Sequence, residues 1–263
     1  MATAVTTTTG HVARALRFYE VGEIFVGIAV TDPWTDEAVP PAVDASQKNI
    51  GRIYTPIYSG GSVTSLNTYA KFNNASFLGG SIGYKITALS ASTYDVRRLS
   101  DNVLIGSASY AAQAAARTNI VQGLSITVTN TSMTIGHYHS FLVDGAISYQ
   151  LIDQRQLVIP DVSGTIEYRG QNYLIVTPEE AIEKGARFVY LLVTFRYDDH
   201  PLTDFRQLGV FTGLTRAVGV AGGKENLLPA EVESVGALEL LDNRTAITRD
   251  IGQREMFSLI IEH

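Results

Sequence analysis

Apolar residues recur at two different periods along this chain, and the change of period marks its elements. Over residues 11–20, Val12, Ala15, Leu16, Phe18 and Tyr19 fall near one helical face and Gly22 stops the run. That spacing predicts a short amphipathic helix. It feeds an apolar strand over 24–30, and residues 44–51 read as a polar loop. Alternation returns over 52–58. Beyond it lie short strand patterns at 81–88, 102–105, 124–130 and 132–135, with an Ala-rich helical stretch at 109–122 closed by Gly123. Asn130-Thr131 would turn a hairpin, and Gly60-Gly61, Asn73-Asn74 and Gly79-Gly80 are further turn signals.

The pattern sharpens after Asp161. Residues 164–170 form a strand ending in a tight turn, and 172–176 return from it. Thr177 is placed to cap a helix entered at Pro178, with Glu179 and Glu180 at the positive end of its dipole and Gly185 closing it. Strands follow at 187–197, 205–214 (broken by Gly209 and Gly213) and 254–262, with an irregular passage over 225–241. No repeat of fixed period is visible.

These elements predict a mainly β chain, a β-rich α+β fold. Its main domain would be an antiparallel β-sandwich with a few short helices, made discontinuously from residues 1–58 and 159–263. Residues 59–158, where Ser, Thr, Asn, Gly and Ala dominate, would be an inserted β-rich lobe carrying the Ala-rich helix.

The strand at 24–30 runs into a corner, Asp32-Pro33-Trp34, and then an acidic loop closed by Pro40-Pro41. Pro33 fixes its own φ and pushes Asp32 toward an extended shape. The paired prolines stiffen the exit. Trp34 is the only tryptophan. The segment reads as an anchored surface loop held in one shape, with Trp34 packed on the main domain.

Composition narrows the function. Of 263 residues, 45% are apolar and 17% charged, which suits a folded chain with a Ser/Thr/Asn-rich surface. The net charge of −6 comes from intermixed residues, and the absence of a Lys/Arg block gives nucleic acid no footprint. With no cysteine, disulfides and thiolate chemistry are excluded. Residues 1–10 are Thr-rich, without the basic start and apolar stretch of a signal peptide. No run is long and apolar enough to suggest a membrane helix.

Candidate chemistry is sparse. His137 and His139 are two apart, so on a strand both imidazoles share a face and could meet one ion, with Asp144 nearby. A third ligand is not evident, and a pair of surface or interface histidines beside Tyr138 is the plainer reading. Asp198-Asp199-His200-Pro201 could be a cation site or an Asp-His pair, but these are also ordinary turn residues. The glycines between Gly219 and Gly223 lack the spacing of a phosphate loop, and no serine sits in a nucleophile elbow. No catalytic residue, metal or cofactor is assigned. Thirteen tyrosines and ten phenylalanines suit core packing, and also interfaces.

Three separated pieces carry a family resemblance. The first is Ala15-Leu16-Arg17-Phe18-Tyr19, then Ile24-Phe25-Val26-Gly27-Ile28, then Asp32-Pro33-Trp34 and Pro40-Pro41. The second is Asp204-Phe205-Arg206-Gln207-Leu208-Gly209-Val210-Phe211-Thr212. The third is Asp242-Asn243-Arg244-Thr245, leading through Gln253-Arg254-Glu255 into the last strand. Together they resemble the baseplate wedge proteins of contractile-tailed bacteriophages, the gene-eight type. The likeness covers residues 11–56 and 160–263 and fades between them.

That resemblance implies a largely antiparallel β protein that pairs as a homodimer. It implies a place in the virion tail baseplate, with assembly in the host cytoplasm. The work would be structural: docking neighbouring wedge and tail proteins and transmitting the rearrangement that precedes sheath contraction, without catalysis. The residues expected to hold framework or interface are Pro33, Trp34, Pro40, Pro41, Phe205, Arg206, Gln207, Asn243 and Arg244. Arg206 and Arg244 would each lock a loop by pairing a carbonyl or carboxylate, or else be solvated surface arginines. A carbohydrate- or receptor-binding tail module is the alternative, and a hydrolase on a β scaffold the third reading.

Overall fold

In the computed structural model, the described residues are 6–30, 34–43, 47, 49–53, 57–59, 66–67, 81–90, 93–109, 118–121, 124–128, 134–196, 198–250 and 252–263. They are mostly β, and every strand pairing among them is antiparallel.

Two five-stranded sheets face each other. The first runs, in spatial order, Asn226–Leu227, Ala146–Leu151, Ile24–Ala29, Asp204–Thr212 and Ala237–Thr248. The second runs Ile166–Tyr168, Gln171–Val176, Gln154–Pro160, Phe188–Phe195 and Glu255–Glu262, and it curls until its outer strands approach each other. Val26, Ile28, Leu208 and Val210 of the first sheet meet Leu157, Val189, Leu191, Val193, Phe257 and Leu259 of the second. Ile24–Ala29 is buried at every position, because it sits mid-sheet with apolar packing on both faces.

The helix Thr8–Glu20 packs into this core through Val12, Ala15 and Phe18. Thr7 caps it, its hydroxyl oxygen accepting from the Gly10 amide at 3.2 Å. At the other end the Arg155 guanidinium donates to the carbonyls of Phe18, Val21 and Gly22, taking up the carbonyls that a helix end leaves free.

A third sheet is built on Tyr138–Asp144. It continues through Ser81–Ala88, Thr93–Arg98 and Leu104–Ser109, while Arg52–Ile53 and Ile57–Ser59 add to its other edge. A small sheet joins Leu66–Asn67, Leu124–Val128 and Thr118–Val121.

Several sequence expectations need correction. The strand Ala146–Leu151 lies beside Ile24–Ala29, so the chain rejoins the first sheet at Ala146 rather than at residue 159. Arg52–Ile53 and Ile57–Ser59 belong to the third sheet instead. Composition misled here, since Ser148 and Gln150 are polar yet buried. The Ala-rich helix does not extend to Gln122: Thr118, Asn119 and Val121 pair with Leu124–Val128, in a strand where Thr118, Ile120 and Val121 are β-branched. Residues 110–117 and the Asn130-Thr131 hairpin lie outside the described residues.

Ile135 sits in a turn at Gly136 and not in a strand. Residues 225–241 are not irregular throughout, because a twelve-residue strand, Ala237–Thr248, begins there. Two bulges break its period. Gly209 lies inside an unbroken strand. The second helix, Ala181–Lys184, starts later than Pro178. Thr177 does not cap it; the Glu180 carboxylate instead accepts from the Thr177 amide and hydroxyl.

Candidate functional site

The described residues 34–43, 47 and 49–51 include a strap held on the two strands Asp204–Thr212 and Ala237–Thr248. The platform follows from a mismatch in register. Phe205 pairs with Ile247 and Gln207 with Asn243, so two residues on one strand span four on the other. The surplus bulges the longer strand at Arg244, and bulges re-aim the groups they carry. The Arg244 carbonyl accepts from the Trp34 indole Nε1–H at 2.7 Å.

Further ties follow along the strap. The Glu37 carboxylate accepts from the Trp34 amide at 3.2 Å and pairs with Arg206 Nε at 2.9 Å. Asn243 Nδ2 donates to the Pro41 carbonyl at 3.0 Å. Gln207 Nε2 donates to Asn243 Oδ1 at 2.8 Å, and Gln207 Oε1 accepts from the Gly51 amide at 2.8 Å. Gln207 is buried, so this relay spends both ends of its amide on protein partners. Each neutral hydrogen bond contributes about 1 kcal/mol net, and the half-exposed ion pair less.

The strap ends in a plug. Gly27 and Gly209 are cross-strand partners. A Cβ at Gly209 would lie 2.5 Å from the Ile50 side chain, and one at Gly27 would lie 2.8 Å from it. The two glycines therefore open a notch in the first sheet that Ile50 fills completely, between Tyr149 and Phe211, whose rings meet edge-on at 5.5 Å. Burying an isoleucine this way stabilises by about 2–3 kcal/mol. Gly51, at φ +132°, then passes so close to Asp144 and Gly145 that a Cβ would sit 2.1 Å from the Asp144 carbonyl oxygen.

Of the residues singled out from sequence, the structure brings Trp34, Pro41, Arg206, Gln207, Asn243 and Arg244 into this one network. Phe205 is buried beneath it, packed edge-on against Phe257 at 5.9 Å. Arg206 does tie the strap. The Arg244 side chain instead pairs with Asp242 on its own strand and lies over the Phe257 ring at 4.9 Å, so only its backbone carbonyl holds the strap. Pro40 is half-buried within the strap. Pro33 lies outside the described residues. Sequence reasoning missed Ile50 with its glycine notch, for which two glycines inside strand patterns were the available signal.

The imidazole pair is not part of this network. His137 precedes the strand Tyr138–Asp144 and is fixed by backbone bonds to Thr134 and Ala88. His139 lies on that strand, and its side chain is outside the described set. Asp144 is five residues further along, about 17 Å at strand rise, too far to share an ion with either histidine. Among the described residues no three acidic or imidazole groups cluster as metal ligands.

Asp198 and Asp199 do form a turn, and His200 follows it into the interior. It is buried against Phe195, ring to ring at 4.9 Å, with Nε2 at 2.8 Å from Gln150 Oε1. Burial, aided by the Arg249 charge, pushes its pKa down to about 4. Arg249 is buried beside it, pairs with Glu255 at 3.1 Å and donates to the Arg196 carbonyl at 2.6 Å. This corner joins Arg196, just past the Phe188–Phe195 strand, to the start of the last strand.

The comparisons bear on the same strands. The family described as "Baseplate wedge 3 tail fiber network component" matches residues 139–263. This half of the chain is similar to a phage baseplate component. "Virion protein 3" of Enterococcus phage phiEF24C is 27% identical over 100 residues, which are 37% of this chain and 54% of that protein. The chain thus spans about half the length of the curated relative it matches. The family match takes in Phe205, Arg206, Gln207, Asn243 and Arg244 but not the strap they hold.

Proposed function

We propose that the chain is a non-enzymatic structural subunit of a phage tail baseplate wedge, of the gene-eight type. Its body would be discontinuous, with an inserted lobe built on the third sheet. It docks neighbouring wedge and tail proteins, pairs as a homodimer, and carries the rearrangement that precedes sheath contraction. The observation that supports this best is the strap network: segments 156 to 210 residues apart in sequence are tied into one framework. Such ties serve a part whose shape must survive load. The baseplate family match over the platform strands supports the same reading.

The test is complementation. Tail particles assembled without this chain would be mixed with the purified protein and sedimented. Uptake of the protein together with restored sheath attachment is the expected outcome; particles that neither bind it nor need it would refute the reading.

One observation favours the saccharide-binding alternative. An open groove of about 650 Å³ is lined by Pro160, Asp161, Val162, Gly170, Gln171 and Asn172. The Ser163 hydroxyl and amide hold the Asp161 carboxylate below its usual range. Planar amides beside an ionised carboxylate suit sugar hydroxyls. Binding on a glycan array that Asn172→Ala abolishes would favour this reading over the structural one.

A further inference from the structure

Residues 38–43 read Ala-Val-Pro-Pro-Ala-Val, six apolar residues in a row on the outside of the molecule. Val39 is 67% exposed and Val43 43% exposed, while Ala38, Pro41 and Ala42 are also open to solvent. Single exposed apolar residues are normal, but a continuous uncharged run is not. This run is also held still. Asp36 takes the amides of Ala38 and Val39, Glu37 is anchored on Arg206, and the Pro41 carbonyl is bound by Asn243.

We propose that residues 38–43 are a preformed docking element for another protein whose surface presents an uncharged, aromatic-lined groove. The chemistry selects that partner. Pro40 and Pro41 lack amide hydrogens, so the segment cannot be read by adding it as a strand to a partner's sheet. The Pro41 carbonyl is already committed to Asn243, which removes an acceptor as well. What remains is pyrrolidine and methyl surface after the turn at Asp36–Val39, in which the two prolines fix φ and bias the residue before each away from helix, and which aromatic rings recognise by packing. Because the strap is ordered by the body, docking pays little ordering entropy. The proposal rests on the tail-assembly reading for where that partner is found, and it adds which surface binds and how.

The experiment uses the same tail particles assembled without this chain. Purified wild-type protein and V39D/V43D are each added, and incorporation is read by sedimentation. Both valines are exposed, so the variant keeps its thermal midpoint, and its incorporation falls at least about tenfold, as for loss of interface anchors. A photo-crosslinking side chain at Val39 attaches to a Phe-, Tyr- or Trp-containing peptide of a different protein. Incorporation of V39D/V43D at the wild-type level overturns the docking inference alone. Crosslinks confined to a second copy of this chain, or to a charged peptide, overturn the partner class. Failure of the wild-type protein to enter the particles sinks the tail-assembly reading, and this inference with it.

Discussion

The sheet carrying Asp204–Thr212 and the sheet carrying Tyr138–Asp144 are both antiparallel, yet they are fastened differently. Around the first, the ties join residues far apart in sequence: Trp34 to Arg244, Glu37 to Arg206, Gly51 to Gln207. Around the third sheet, the described polar ties are mostly local. Arg98 pairs with Asp101 three residues away, Arg97 with Asp95 two away, and Ser90 with Thr93. One face of that sheet buries Tyr84, Ile86 and Val96, but Leu99, Val103, Leu104 and Leu142 remain exposed. Long-range ties make the first region a single mechanical piece. Local ties let the third sheet be reshaped without loosening the rest.

The sharpest way to break this contrast is at the plug. Ile50→Ala empties the notch between Gly27 and Gly209 and should cost about 2–5 kcal/mol in denaturant unfolding. A loss below about 1 kcal/mol would show that the strap is not part of the core. The next effect is one of pH. His200 stays neutral in the fold down to about 4, whereas an unfolded histidine protonates near 6.5. As pH falls through that window only the unfolded chain gains the proton. Stability should therefore drop by up to about 3 kcal/mol between pH 6.5 and 4, with no such change above 7. His200→Gln should flatten that slope, and an unchanged slope would remove His200 as its source.

A smaller effect is expected at the indole. Trp34→Phe removes the hydrogen bond to Arg244 while keeping a ring, and should cost about 1 kcal/mol. The smallest lies in the third sheet. Leu142→Ser at an exposed position should change stability by less than about 0.5 kcal/mol. A cost there as large as at Ile50 would erase the distinction between the two regions.

Much of the fold was legible where one physical signal acts alone. The amphipathic stretch from Val12 to Tyr19 gave the helix, a long apolar and aromatic run gave the strand Phe188–Phe195, and two opposed faces gave Glu255–Glu262. Signals failed where tertiary packing overrides local chemistry. Ser148 and Gln150 look like surface residues, but they are drawn inside by their neighbours on Ile24–Ala29. The strand Ala237–Thr248 was hidden because two bulges shift its alternation. Trp34, Arg206 and Asn243 stood out by residue type and by resemblance. Their meeting could not be read from sequence, since it depends on a register mismatch across strands more than 30 residues apart. The same limit hid Arg249, an arginine in a polar stretch that the fold buries against Glu255.

The central claim is that the strap is a fixed part of the body, and Trp34 reports on it directly because it is the only tryptophan. Hydrogen exchange of its indole N–H, followed by NMR beside the Gly51 amide, measures how often those ties open. The account predicts that both exchange slowly and at rates comparable to the amides of Asp204–Thr212. Exchange of the indole proton at the rate of a free tryptophan, while that strand stays protected, would contradict it.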